Sequence, residues 1–294
     1  MRRILAVILW VASAAAAMAQ VDESAVSVAR LDYLDGDYDK ALAVIVPAAE
    51  NGSAMAQNIL GDAYDKGNGV PVDAALAVEW WEKAAAQDFD RAIYNLGLHY
   101  AENGDPERAV GYYERAVAMG NDFAMNNLAR LLEQGRGVDA DPEGAAELYE
   151  AAIDLGNNLA INNLARMYLE GDGVDEDLAY ALSLYRYGAE KGLRDSLNNL
   201  GAMYENGYGV GQDRLAAMAL YKQAAEAGFG RAAINLAEIL IYIDNGWNDP
   251  LEGYRWCLRG LALGGIDVDP DDCDAMAEVV GPAIVAEAEA SVAD

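Results

Sequence analysis

The sequence predicts an all-α fold, a solenoid of helix-turn-helix repeats, and three recurrences predict it. The first is a stripe. Ala56, Leu60, Gly61 and Tyr64 return as Ala92, Leu96, Gly97 and Tyr100, as Ala124, Leu128, Ala129 and Leu132, and as Ala160, Leu164, Ala165 and Tyr168. Two more rounds follow at Ser196, Leu200, Gly201 and Tyr204 and at Ala232, Leu236, Ala237 and Leu240. The step is 36 residues except for one step of 32. The second recurrence is another stripe on the same beat: Ala77 with Trp80-Trp81, Ala109 with Tyr112-Tyr113, Ala145 with Leu148-Tyr149, Ala181 with Leu184-Tyr185 and Ala217 with Leu220-Tyr221. Both stripes place apolar residues at i, i+4 and i+7 or i+8, one face of a helix, so each repeat holds two helices. A fixed period of this length is the mark of stacked repeats.

The third recurrence is the loop between the stripes, Gly67-Asn68-Gly69-Val70, echoed at Gly135-Arg136-Gly137-Val138, Gly171-Asp172-Gly173-Val174 and Gly207-Tyr208-Gly209-Val210. Its first glycine suits the left-handed conformation that ends a helix, and its valine returns to the apolar layer. A phosphate-binding loop would need a preceding strand and a Gly-Lys-Ser anchor, and neither is present. Helix starts are marked by Asp105-Pro106, Asp141-Pro142, Asp249-Pro250 and Asp269-Pro270, a capping carboxylate before a proline at the first helical position.

These boundaries divide the chain into a leader at 1–19, a helix pair at 20–53, a solenoid at 54–267 and one capping helix at 268–294. The solenoid units are 54–90, 91–122, 123–158, 159–194, 195–230 and 231–267. In the leader, Arg2 and Arg3 precede an apolar run from Ile4 to Val11 and a small-residue stretch ending Ala17-Met18-Ala19. That order is a secretory signal peptide with cleavage expected after Ala19, and it predicts a periplasmic or secreted protein. No segment offers the roughly 20 consecutive apolar residues of a membrane helix, so no membrane insertion is expected. Cleavage removes two arginines and no acid, taking the formal charge from −29 to −31. A field of that sign repels nucleic acid and favours a basic partner surface.

Taken together, Ala-x-x-Asn-Leu-Gly, a following Tyr, Gly-x-Gly-Val and Ala-x-x-Leu/Trp-Tyr resemble the Sel1-like repeat, over most of residues 54–267. Residues 91–122 lack the glycine loop and resemble a tetratricopeptide repeat, as does 24–53 with Asp35-Gly36-Asp37-Tyr38 and Ala41; the last copy carries Asn245-Gly246-Trp247 where the loop should be. The resemblance implies a right-handed α-solenoid of Sel1-like and tetratricopeptide-like repeats with an extended concave face. It also implies a non-catalytic scaffold of the bacterial envelope that binds another protein, such as a sensor-kinase ectodomain. The alternatives are a polysaccharide- or peptidoglycan-binding protein and a β-lactam-hydrolysing one; the cysteine-rich members tied to β-lactams carry a cysteine pair in each repeat, which this chain lacks.

The candidate partner-binding residues are the asparagines that precede each repeat leucine, Asn95, Asn127, Asn163, Asn199 and Asn235, doubled by Asn126, Asn162 and Asn198. Such a row can satisfy backbone groups inside the stack or hydrogen-bond an extended partner. Tyr208, inside a loop, and Trp247 are further contact candidates. Trp81, Tyr113, Tyr149, Tyr185 and Tyr221 keep one register throughout and are read as core. Cys257 stands where other repeats carry that aromatic; it is a disulfide candidate with Cys273 if the terminal helix packs back on the last repeat, the alternative being two small buried hydrophobes. Asp267, Asp269, Asp271 and Glu278 fit a calcium loop poorly, because Asp272 stands where that loop needs glycine; a helix cap explains them better. His99 is the only histidine, so no histidine-rich zinc site is expected, nor any cofactor.

Overall fold

Each helix of this chain is only three or four turns long, a length that is marginal for an isolated helix in water, so packing between helices has to supply its stability. The computed structural model describes residues 22–242, 248–265 and 268–292, in which sixteen α-helices and no strand occur. They divide into two compact units that meet in sequence at Ala140 and Asp141.

The first unit contains α1 (Glu23–Leu34), α2 (Tyr38–Glu50), α3 (Ala54–Lys66), α4 (Ala74–Ala85), α5 (Asp90–Glu102), α6 (Pro106–Val117) and α7 (Asp122–Gln134). The second contains α8 (Pro142–Asp154), α9 (Leu159–Glu170), α10 (Leu178–Glu190), α11 (Arg194–Asn206), α12 (Arg214–Glu226), α13 (Gly230–Tyr242), α14 (Pro250–Leu263), α15 (Pro270–Val280) and α16 (Pro282–Val292). Odd-numbered helices from α3 to α13 carry the first stripe and, with α1, are called A helices; even-numbered helices from α4 to α12 carry the second and, with α2 and α14, are called B helices. Within each unit an A helix packs against the B helix that follows it and against the B helix before it. The fold is an all-α repeat solenoid.

Aspartate starts the B helices for a local reason. Asp73, Asp105, Asp141, Asp177, Asp213 and Asp249 each accept hydrogen bonds from first-turn backbone N–H groups of α4, α6, α8, α10, α12 and α14. Each such cap is worth about 1 kcal/mol and places a negative charge at the positive end of the helix dipole. Part of the chain's acidity is therefore structural.

The two glycines of each loop do different work. Gly67, Gly135, Gly171 and Gly207 end their A helices at φ between 62° and 75°, where a side chain is strained. The second glycine lies against the B helix of the preceding repeat. A Cβ on Gly69 would come 2.7 Å from Leu42 and Tyr38, and one on Gly137, Gly173 or Gly209 would collide with Pro106, Pro142 or Leu178. The valine that follows is half-buried in each loop.

The register aromatics are core. Trp81, Tyr113, Tyr149, Tyr185 and Tyr221 are at most 3% exposed. Three of them lie on a glycine of the preceding A helix: a Cβ on Gly61 would come 2.5 Å from Trp81, on Gly97 2.6 Å from Tyr113, and on Gly201 2.8 Å from Tyr221. Close packing of this kind leaves no room for one methyl group. A compensating pair appears where the stripe alanine becomes Ser196. The B-helix alanine it would meet is Gly188, and a Cβ there would overlap the Ser196 hydroxyl.

The carboxyl-terminal segment corrects one expectation. The single capping helix expected over 268–294 is two helices, α15 and α16, divided at Gly281, whose φ is 83°, and Pro282. Gly281, at φ 83° and ψ 163°, lies outside the helical region, and Pro282, with no N–H to donate, takes the first position of a new helix. Cys257 on α14 and Cys273 on α15 are joined by a disulfide with Cα atoms 5.7 Å apart. Met276 and Ala288 bring α15 and α16 into the same core as Tyr254 and Trp256. The expected signal peptide and the Asn245-Gly246-Trp247 variant of the loop lie outside the described residues.

Candidate functional site

The A helices expose one face in each unit, and the asparagine row runs along its edge. Asn95, Asn127, Asn163, Asn199 and Asn235 are all half-buried. The amides of Asn95, Asn127, Asn199 and Asn235 link one repeat to the next. Asn95 Nδ2 donates to Asn58 Oδ1 at 3.1 Å, and Asn235 Nδ2 donates to Asn198 Oδ1 at 2.9 Å. Asn127 Nδ2 reaches the Tyr94 hydroxyl, which occupies the Asn58 position one repeat later, at 3.3 Å. Asn199 hydrogen-bonds the Tyr185 hydroxyl, whose titration burial pushes up to about 12. Ser196 Oγ donates to Asn162 Oδ1 at 2.7 Å. Tyr208 stands 48% exposed in its loop, while Trp247 lies outside the described residues.

In the first unit the row departs from its pattern. The position held by asparagine in the later repeats is Ile59 in the first, and the residue three further on is Asp62. Asp62 Oδ1 accepts from Trp81 Nε1 at 3.0 Å and from Asn95 Nδ2 at 2.8 Å. Burial pushes its carboxyl up to about 6, and the hydrogen bond from Trp81, Lys66 and Arg91 pull the other way. Asp62, Trp81, Asn95 and His99 line one small recess together with Lys66 and Glu102. The lone histidine has a packing role there: its ring meets Trp81 edge-on at 6.1 Å and Tyr100 at 5.3 Å.

A second recess of the first unit is lined by residues of α1, α3 and α5 and by Phe89 just before α5. Arg30 of α1 and Arg91 of α5 flank it, Met55, Asn58 and Ile59 of α3 form its floor, and Phe89 and Asp90 complete its lining. Neither arginine has a carboxylate within salt-bridge distance among the described residues. Beyond it, Tyr94 and the 51% exposed Phe123 meet at a ring distance of 6.1 Å, and Arg130 is exposed without an ion pair.

The second unit treats its A-helix arginines differently. Arg166 pairs with Glu170 at 2.9 Å. Arg194 contacts Asp195 at 3.9 Å and donates to the Gly228 carbonyl at 3.2 Å. Arg231 holds Asp272 of α15 at 3.1 Å. Asp272 is thereby an ion-pair partner and Asp269 the cap of α15, while Asp267 of the calcium pattern lies outside the described residues. Among the described residues no group of three or more His, Cys, Asp or Glu side chains is placed to hold a metal ion, and no helix is long and apolar enough to cross a membrane.

The half-buried Asp62 and the lack of an ion pair at Arg91 and Arg130 are not legible from spacing, since Arg231 and Arg166 hold the same repeat positions as those two arginines and are paired. The signal at Asp62 is an interruption, Ile59 in place of asparagine and an acid directly after the stripe glycine.

Residues 54–89, 122–157, 158–193 and 194–229 match the Sel1 repeat, and residues 92–123 match the tetratricopeptide repeat. A protective antigen present in uropathogenic Escherichia coli strains, a protein with the Sel1-like repeat fold, superposes with a TM-score of 0.72 at 28% identity, over 86% of this chain and 60% of that one. A Sel1 repeat protein from Oxalobacter formigenes gives a TM-score of 0.72 at 27% identity, over 84% of this chain and 99% of that one. A sel1-like repeat-containing protein of Acanthamoeba polyphaga mimivirus is 29% identical over 77 residues, 26% of this chain and 14% of its own length. The chain thus spans less than two thirds of the Escherichia coli and mimivirus proteins. Repeat solenoids of this kind are generally non-catalytic and typically bind other proteins. Four Sel1 repeats with a tetratricopeptide repeat set among them, on a helix-pair stack, make this chain a member of the Sel1-like repeat family.

Proposed function

We propose that this protein is an exported, non-catalytic scaffold of the bacterial envelope that binds another protein through the exposed face of its A helices. The observation that carries the reading is the chemistry of that face in the first unit. Exposed Arg91, Phe123 and Arg130 stand beside half-buried Tyr94, Asn95 and Asn127, a mixture of guanidinium, aromatic and amide groups typical of protein interfaces. Arginine and aromatic side chains in such positions supply most of the binding energy of an interface. Export is supported by the charged, apolar and small-residue order of residues 1–19, and by a disulfide, which persists in oxidising compartments.

Crosslinking in the native envelope, followed by mass spectrometry, tests both parts. The expected result is a specific protein partner crosslinked to A-helix residues, and a mature chain that begins at Gln20. Recovery of no specific protein, together with turnover of a small substrate by the purified chain, would overturn the scaffold reading.

A further inference from the structure

We infer that the recess flanked by Arg30 and Arg91 takes an acidic peptide segment of the partner, a side-chain carboxylate next to a large apolar side chain. The inference rests on the scaffold reading and adds the site and the chemistry of its occupant.

Cations are scarce in this chain, 20 against 49 acids, so an arginine without a carboxylate is not explained by a shortage of partners. In the second unit each A-helix arginine is paired. Arg30 and Arg91 are not, although Asp90 belongs to the same lining and lies beyond salt-bridge distance of both. A guanidinium stays charged at any physiological pH and offers a planar fork of donors that matches a carboxylate in a bidentate way. Here two such groups, carried by α1 and α5, line one recess with residues of α3.

The floor between them is suited to an apolar neighbour of that carboxylate. Ile59 replaces the row asparagine at this one repeat, and Met55 and Phe89 adjoin it. The polar member of the floor, Asn58, already accepts from Asn95 and donates toward Asp62 at 3.4 Å, so it does not compete for the ligand. Charge and shape together select an acidic residue beside Leu, Phe or a similar side chain.

The sign of this recess is opposite to that of the whole chain, and the difference is measurable. An acidic segment approaches against the field of a chain whose formal charge is −29, so added salt should speed association while weakening the bound pair. A basic segment would show the reverse effect on association.

The test is selection of a random hexapeptide phage library on the full chain, with fluorescence polarisation of the selected peptides. Enrichment of Asp or Glu beside a large apolar residue is expected. Arg30→Gln and Arg91→Gln should each weaken those peptides about tenfold, the scale of one charge-assisted hydrogen-bonded contact. Arg91→Lys should fall in between, and Arg136→Gln, at an exposed loop arginine, should bind as the unaltered chain does. Unchanged melting of the variants by circular dichroism shows that they fold. Selection of Lys- or Arg-rich peptides, acidic peptides indifferent to both substitutions, or no binder at all would overturn the inference. A native-envelope partner whose crosslinks are unaffected by Arg30→Gln and Arg91→Gln would sink this site while leaving the scaffold reading in place.

Discussion

The two units are built on the same stripe and the same buried aromatic, yet their A helices use arginine in opposite ways. In the second unit Arg166, Arg194 and Arg231 are absorbed by acids or carbonyls of the unit itself, and Arg231 reaches out to fasten α15. In the first, Arg30, Arg91 and Arg130 have no such partner, and the asparagine row gives way to Ile59 and a half-buried carboxylate. The repeat fixes where a side chain stands; it leaves open whether that side chain serves the stack or something outside it. Equal scaffolds can thus carry unequal faces.

The largest expected effect tests whether the scaffolds are in fact equal. Tyr113→Ala and Tyr221→Ala each empty a slot above a stripe glycine and should each cost about 3–5 kcal/mol by urea unfolding. Clearly unequal losses would move the difference between the units from their faces into their cores. Next, removal of the disulfide by Cys257→Ala with Cys273→Ala should cost about 3 kcal/mol, given its separation of 16 residues. Hydrogen exchange should locate that loss in α14 and α15, with α3 and α5 unaffected; faster exchange in α3 would contradict the division into two units.

A smaller effect is expected at Asp62. Its carboxyl titrates near 6 in the folded chain and near 3.8 when unfolded, so the folded state holds the proton more tightly. Stability is therefore lost as pH rises from about 4 through 6, and the penalty is complete above that range. Asp62→Asn should gain about 1–2 kcal/mol at pH above 7, and the gain should disappear below pH 4. A gain independent of pH would mean that burial of the charge is not its cause. The smallest effect sets the arginines side by side: Arg231→Gln should cost about 1 kcal/mol, whereas Arg91→Gln should change stability by less than about 0.5 kcal/mol. A cost at Arg91 equal to that at Arg231 would erase the contrast.

What the sequence makes legible is whatever repeats. The helix pairs, the loop glycines and the buried register of Trp81 through Tyr221 all follow from period and spacing, because each recurrence is an independent reading of one packing problem. The break at Gly281-Pro282 was visible as a turn signal but stood in a segment with no second copy to compare. Asp62 has no second copy either, whereas Arg91 has one in Arg231, which differs from it in being paired. Their meaning depends on three helices brought side by side, and pairing or lack of pairing is a distance that no spacing rule supplies. The asparagine row sits between these cases: its position was legible, while its donors turn out to join adjacent repeats.

The second loop glycine bears on how such a chain can lengthen or recombine. Gly137, Gly173 and Gly209 each touch the opening residues of the preceding B helix, so a Sel1 unit fits only behind a neighbour whose helix begins at the matching height. The tetratricopeptide-type repeat, without that loop, makes no such demand of α4. A duplication that copies whole 36-residue units keeps every loop seated, and the 32-residue unit offers a joint where unlike segments can be spliced.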